Sequence, residues 1–310
     1  MNRLARRCGA VAAGLLLDRL AGEPPAEAHP VAWFGRLMER LEGRFWADSR
    51  RRGIAYTVVG VVVGILAGRL VRSVTTAVAL TVAGRQLRRV AAGVGKAAAG
   101  GYLARARSEL PALVGRDPSD LDASGVAAAV IESVAENSVD AVVAPAFWAV
   151  VAGAPGALAY RAVNTMDAMV GHRNDRYHRF GWTAARLDDL ANYLPARIFA
   201  ALVAAVAPER AREVLATVRR DAPAHPSPNA GIAEAAVAAA LGRELGGPLR
   251  YGPIFENRPS LGIGPRPAPV DVARAVDIAD RAERVLLAVL GLAWLLGAAR
   301  RASTAARLAT

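Results

Sequence analysis

The chain has a single cysteine, Cys8, in 310 residues. A lone thiol excludes a disulfide framework and any metal cage built on cysteines. There is also a single lysine, Lys96, so the net charge of +12 is almost wholly arginine. Lys96 sits in Gly93-Val94-Gly95-Lys96-Ala97, which lacks the leading glycine and the Ser/Thr of a P-loop. No HExxH, GxSxG or CxxC pattern occurs, which removes the common zinc-hydrolase, serine-hydrolase and dithiol readings. Aromatics make up only 5% of the chain. Nucleic-acid binders interleave aromatics with basic residues on one face. Here the arginines instead flank apolar runs: Arg50, Arg51 and Arg52 before one, Arg85, Arg88 and Arg89 after the next, Arg300 and Arg301 after the last. That is the pattern of cations anchoring membrane segments, so the basic charge points to a lipid bilayer and not to nucleic acid.

What is present is apolar: 54% of residues are hydrophobic and the mean hydropathy is +0.25. Gly53–Leu70 has the length of a bilayer crossing, with Tyr56 near an interface. Val285–Ala298 reads as a terminal span, and Leu194–Ala207 is a further apolar run. At the N-terminus, Arg3, Arg6 and Arg7 precede the apolar Ala10–Leu17, and Ala26-Glu27-Ala28 has the look of a signal cleavage site. Asp18 and Arg19 cut that run short and Pro24-Pro25 follows, so the segment is expected to be retained.

Ala141–Val163 has the length of a span but carries Gly153-Ala154-Pro155-Gly156 at its centre. Proline removes a backbone donor and Pro-Gly favours a turn. Two arms of roughly 20 Å are each too short for a ~30 Å core. The segment is therefore either a helical hairpin that dips in and returns or one kinked helix. The sequence weighs the two about equally; the hairpin is the preferred reading if Glu132–Asp140 and Asn164–Asn192 form one site, because it keeps them on one membrane side. The expected fold is all-α and polytopic. It forms one domain over residues 1–310, with about four to five membrane-embedded helices, one of them open to the hairpin reading, and a polar helical and loop region carrying the site.

The chemistry gathers between Glu132 and Asn192. Ionisable groups beside lipid-compatible helices are costly, which makes them functional candidates by default. Glu132, Glu136 and Asp140 fall at i, i+4 and i+8, one helical face of like charges that calls for a cation. Hard carboxylate oxygens suit Mg²⁺. Asn137 lies beside them. Asn164 and Asp167 are one helical turn apart. The loop Gly171-His172-Arg173-Asn174-Asp175-Arg176-Tyr177-His178 offers guanidinium forks for phosphate or carboxylate. Asp188 and Asn192 add a further polar turn. Later, His225-Pro226-Ser227-Pro228-Asn229 forms a rigid polar turn before a helix that Ser227 or Asn229 can cap. His29-Pro30 follows Gly22-Glu23-Pro24-Pro25 in the same manner and reads as a turn.

Five blocks carry a resemblance: LLLDRLAGEPP…HPVAWFGRLM (Leu15–Met38), GRDPSDLDASGVAAAVIESVAENSVDAVVAPAFWA, GALAYRAVNTMDAMVGHRNDRYHRFGWTAARLDDLANYLPAR, RDAPAHPSPNAGIAEAAVAAALG and a terminal YG…RPSLGIG. Together they resemble the CobD/CbiB cobalamin-biosynthesis proteins over nearly the whole chain. The resemblance implies a multi-pass protein of the cytoplasmic membrane that joins adenosylcobyric acid to aminopropanol, or to its O-phosphate, through an amide bond. It also implies ATP and Mg²⁺ as cofactors, a corrinoid and an aminoalkanol as small-molecule partners, and association with other cobalamin-pathway enzymes.

Residue chemistry then assigns roles for that reaction. Glu132, Glu136 and Asp140 are expected to hold the metal. His225, Glu136 and Asp167 are expected to be catalytic, with His225 deprotonating the attacking amine. Asn137, Asn164, Arg173, Asn174, Arg176, Asp188, Asn192, Ser227 and Asn229 are expected to bind substrate. The competing readings are a transporter for a corrinoid or charged metabolite, suggested by broken apolar helices beside charges, and a membrane scaffold. A transporter of that kind predicts two related halves, and none is visible in the sequence.

Overall fold

The computed structural model describes residues 2–24, 29–115, 117–172, 174–251 and 254–308, and most of the described residues are helical. In chain order the helices are α1 (Arg3–Ala21), α2 (Pro30–Phe45), α3 (Arg50–Val71), α4 (Val74–Thr81), α5 (Gly84–Ala99), α6 (Leu103–Glu109), α7 (Ala123–Ser138), α8 (Ala144–Val170), α9 (Trp182–Ala191), α10 (Tyr193–Val206), α11 (Ala211–Asp221), α12 (Ala230–Leu241) and α13 (Asp271–Leu308). Strands β1 (Leu245–Tyr251) and β2 (Ile254–Leu261) form an antiparallel pair before α13. This ribbon departs from a purely helical expectation. Its segment is rich in glycine and proline, which disfavour helix and suit turns and bulges.

Among the described residues three tracts are long and apolar enough to cross a membrane: α3, the run from α7 through α8, and α13 to Arg301; a fourth arises if α9 and α10 count as one broken span. The outward faces agree. On α3, Ile54, Val58, Val62, Leu66 and Leu70 are all exposed at helical spacing, and on α13 so are Val289, Leu292, Leu295 and Leu296. Such continuous apolar faces suit lipid and not water. The protein is a polytopic, essentially all-α membrane protein.

By contacts the chain divides into two compact units: Met1–Ala83 with Asp140–Asn192 and Leu286–Thr310, and Gly84–Val139 with Tyr193–Val285. In the first unit, α1, α4 and α8 enclose a core of small and branched residues that includes Val11, Leu15, Val78, Ala146, Ala149 and Ala157. A second cluster joins Met38 of α2, Tyr56 of α3, Met166 and Val170 of α8, and Phe180.

The break at Gly153 decides how this unit is built. Gly153 has φ 72° and ψ −155°, and Pro155 follows inside α8. A straight helix would set Asp140 and Tyr160 about 30 Å apart. Instead the Tyr160 hydroxyl lies 3.4 Å from the Asp140 carbonyl oxygen, and Asn164 Nδ2 lies 3.1 Å from Asp140 Oδ2. A Cβ at Gly156 would press on the Trp148 carbonyl, eight residues earlier. The chain therefore reverses here: the hairpin reading holds, and the kinked-rod alternative does not.

The reversal leaves carbonyls without helical partners. Arg7 of α1 supplies one: its Nη1 donates to the Val150 carbonyl at 3.2 Å and also to that of Val151. A cation on the last carbonyls of a helix satisfies both hydrogen bonding and the helix dipole. Arg7→Ala is expected to cost about 2 kcal/mol, with Arg7→Lys recovering part of it, as read by thermal unfolding in detergent.

In the second unit, α5 packs on α7 and α12 packs on α7, α10 and α11. All twelve residues of α12 are buried, and it ends on Gly242 in the left-handed conformation. The β-ribbon has a bulge between Leu245 and Gly247, so the Gly246 N–H is released from the ladder. It donates instead to Glu132 Oε1 at 3.0 Å.

Candidate functional site

The hairpin arms of the first unit carry a closed polar network. Asn164 Nδ2 donates to Asp140 Oδ2 at 3.1 Å and to Asp188 Oδ1 at 3.3 Å, so a single amide bridges two carboxylates. Its orientation is fixed from behind, because Arg161 Nη1 donates to Asn164 Oδ1 at 3.2 Å and turns the NH₂ toward the acids. Asn192 Nδ2 donates to Asp188 Oδ2 at 2.9 Å, and Asn192 Oδ1 accepts from the Tyr160 hydroxyl at 2.8 Å. Each element has a simple reason for its place. Tyr160 and Asn164 share a face of the return arm at i and i+4, Asp188 and Asn192 do the same on α9, and the reversal at Gly153 delivers Asp140 to them.

Of the residues expected from sequence, this network gathers Asp140, Asn164, Asp188 and Asn192. Asp167 lies three residues beyond Asn164 on the same arm, where its carbonyl accepts the Gly171 N–H at 2.7 Å. Arg176 belongs to a different cluster. Its Nη2 donates to Glu42 Oε1 at 2.9 Å, its guanidinium stacks 4.7 Å from the Trp46 ring, and Trp46 Nε1 donates to its carbonyl at 3.2 Å. Tyr177 donates to the same Glu42 oxygen at 2.9 Å. This arrangement pins the loop to α2. Asn174 is a turn residue whose Oδ1 accepts from the Tyr177 N–H. Arg173 lies outside the described residues.

Glu132, Glu136, Asn137, His225, Ser227 and Asn229 belong to the second unit. Glu132 is buried on the Gly246 amide, and the α-helical ladder gives way to a π turn at Val139–Val143, so the regular i, i+4, i+8 face stops at Glu136. Asn137 donates to the Ser133 carbonyl at 2.9 Å. Ser227 Oγ accepts from the Asn229 and Ala230 N–H groups and so caps α12. His225 Nε2 sits 3.8 Å from Glu234 Oε2, and both side chains are buried. Glu234 is the one carboxylate in an otherwise apolar helix, which is the signal that could have flagged it.

Sequence reasoning also passed over Tyr160, Arg161, Glu23 and His29. A tyrosine and an arginine closing an apolar arm, one turn before Asn164, could have marked the first two. His29 lies at the start of α2, and its Nδ1 accepts the Val31 N–H at 3.2 Å. His29 Nε2 lies 3.4 Å from Glu23 Oε2. Burial, and then the Arg161 guanidinium, push the imidazole pKa below its ordinary 6.5. Burial pushes the Glu23 carboxyl up; Arg161 opposes this and Asp18 adds to it.

Below about pH 6.5 the unfolded His29 imidazole takes a proton that the folded one still refuses, so its stabilising contribution is present above that pH and is lost as pH falls toward the lowered folded value. Glu23 acts in the opposite sense, so the His29 contribution is read as a difference. His29→Asn, which keeps a capping oxygen, is expected to flatten the acid-side fall in melting temperature between about pH 7 and about pH 5.

The donor set suits magnesium. Among the described residues no three Asp, Glu, His or Cys side chains converge as a ready-made cage. Mg²⁺, however, usually takes one or two carboxylates and leaves its remaining positions to water and substrate phosphate. Two aspartates held on one amide, with hard oxygens, match that habit better than the Glu132 carboxylate engaged by Gly246.

The family described as CobD/Cbib protein matches residues 11–279. Curated relatives named "Cobalamin biosynthesis protein CobD" are similar over most of their length. That of Mycobacterium tuberculosis H37Rv is 44% identical over 284 residues, covering 87% of this chain and 90% of its own. The Rhodobacter capsulatus protein is 43% identical over 296 residues, covering 86% and 90%. The Chromobacterium violaceum protein is 43% identical over 302 residues, covering 92% and 96%. No solved structure matches the chain. With a match that runs through both units and relatives this similar end to end, the chain belongs to the CobD/CbiB family of cobalamin biosynthesis proteins.

Proposed function

We propose that this protein is a membrane-embedded amide ligase. In this reading it joins a propionate carboxyl of adenosylcobyric acid to the amine of aminopropanol or of its O-phosphate, driven by ATP. The observation that supports the reading is the pair of carboxylates, Asp140 and Asp188, held on one amide at the base of a membrane hairpin. A carboxylate and an ammonium do not condense without activation, and phosphoryl transfer to the carboxylate supplies it.

Asp140 and Asp188 would hold Mg²⁺, which when bound neutralises the phosphate charge of the nucleotide. Asn164 keeps the two carboxylates at fixed separation, and Arg161 keeps Asn164 from flipping. Asn192 and Tyr160 brace Asp188 from the other side. Preorganised groups of this kind need not reorganise when charge develops, which is where electrostatic catalysis gains most. In the second unit, His225 and Glu234 form a buried pair at 3.8 Å, the separation of an ion pair when the imidazole is protonated.

The reading is tested with purified full-length protein in detergent or nanodiscs, supplied with adenosylcobyric acid, aminopropanol phosphate or aminopropanol, ATP and Mg²⁺. Product mass and ADP or AMP release are followed together. ATP-dependent appearance of the amide is the expected result, and no product with either amine overturns the reading. Glu136→Gln in the same assay tests the sequence-based metal assignment. Undiminished activity would remove Glu136 from it.

A further inference from the structure

Gly22-Glu23-Pro24-Pro25 and His29-Pro30 read as turns in sequence, yet the Glu23 and His29 side chains come together. His29 Nδ1 accepts the Val31 N–H at 3.2 Å, so the proton of the neutral ring is on Nε2. That nitrogen lies 3.4 Å from Glu23 Oε2. That approach is not a hydrogen bond: His29 Nε2 and the other carboxylate oxygen, Glu23 Oε1, are both buried without a hydrogen-bond partner among the described residues. A buried acceptor left open is costly unless something fills it, so it marks a place for a donor. The charged groups around it are Asp18 on its own side of the turn and Arg161 on α8, together with His29. Arg161 is the same residue that orients Asn164, so one guanidinium acts electrostatically on the pair and holds an amide of the Asp140–Asp188 network within one unit.

We propose that Glu23 is the proton acceptor for the incoming amine: its open Oε1 receives the ammonium of the aminoalkanol and takes one proton, while His29 positions the carboxylate through Oε2. The proposal rests on the ligation reading above. In balance, R–NH₃⁺ and the Glu23 carboxylate give R–NH₂ and the Glu23 carboxylic acid. The amine nitrogen then bonds to the carbonyl carbon of the ATP-activated corrinoid carboxyl. The carbon–oxygen bond to phosphate breaks, and the phosphate leaves with the second amine proton. Burial and the neighbouring Asp18 raise the proton affinity of Glu23, which suits a group that must accept a proton from an ammonium ion. The neutral form of His29 that burial favours is the one that can present a proton on Nε2 while capping α2.

The test uses the full-length protein in nanodiscs with adenosylcobyric acid, ATP and Mg²⁺, and two nucleophiles in parallel. Aminopropanol phosphate is protonated at neutral pH and needs a base; hydroxylamine is uncharged and traps an activated carboxyl without one. Glu23→Gln is expected to lose about 100-fold in amide formation while keeping hydroxamate formation. Its residual amide formation is also expected to recover as pH rises and free amine accumulates. His29→Asn is expected to show the same selective loss, about tenfold, and carries the test if the Glu23 variant does not fold. Wild-type amide formation by either folded variant overturns the proposal, and so does equal loss with both nucleophiles. Failure of the unmodified protein to form either product would instead sink the ligation reading itself.

Discussion

Asp188→Asn is expected to reduce ligation by about 10²- to 10³-fold and to raise the Mg²⁺ concentration needed for half-maximal rate. Asparagine keeps the size of the side chain and one oxygen, so its bonds to Asn164 and Asn192 can partly survive. What it removes is the charge. Two carboxylates bound to one amide repel each other, and a divalent cation relieves that repulsion. Asp140→Asn is expected to behave alike, and the double variant to add little once the cation is gone. Asp189→Asn is the matched control. Asp189 is the neighbour of Asp188, and its carboxylate pairs with Arg186 at 3.3 Å. Wild-type magnesium dependence in Asp188→Asn would remove the pair from metal binding.

Gly64→Leu is expected to cost about 3 kcal/mol and to abolish activity through misplacement of the return arm. A Cβ at Gly64 would lie 2.8 Å from the Leu158 carbonyl oxygen, 2.9 Å from Ala159 Cα and 3.0 Å from Ala162 Cβ. Backbone on both sides leaves nothing to yield except the separation of α3 from α8. Small residues at helix-turn spacing let membrane helices approach this closely, and the gain is van der Waals contact and not water exclusion. Gly43→Leu on α2, where nothing lies within 4 Å, is the control and is expected to be tolerated. Thermal unfolding and assay of the two variants side by side separate packing from a general intolerance of leucine.

Much of this architecture was legible in the chain. Arginines at the ends of apolar runs announced the membrane. Gly153-Ala154-Pro155-Gly156 announced a break, because Pro155 has no amide hydrogen to give. Arm length made a reversal one of two open readings, since neither arm alone reaches across a bilayer, and left the kinked helix standing beside it. Asp140, Asn164, Asp188 and Asn192 were recognisable as polar groups in costly surroundings. Other features were not legible. The i, i+4, i+8 spacing of Glu132, Glu136 and Asp140 assumes an unbroken α ladder, and a π turn leaves no mark in residue type. That Glu132 meets the Gly246 amide depends on a bulge in a distant ribbon. Arg176 and Trp46 are 130 residues apart, and no periodicity announces a pairing that long. Glu23 and His29 were hidden for the opposite reason: Gly-Glu-Pro-Pro and His-Pro are such good turn sequences that nothing called for a second explanation.

The reversal at Gly153 also bears on how sidedness is counted. A segment that enters and leaves by the same face adds nothing to the odd-or-even tally of crossings. If the segment re-enters in this way, the chain just before Asp140 and the chain just after Val170 are expected to open to one aqueous compartment. Scoring the apolar stretch between them as an ordinary crossing would invert the assigned side of every later segment, including the arginines at 300 and 301. A pair of reporter fusions bracketing that stretch reads the parity directly.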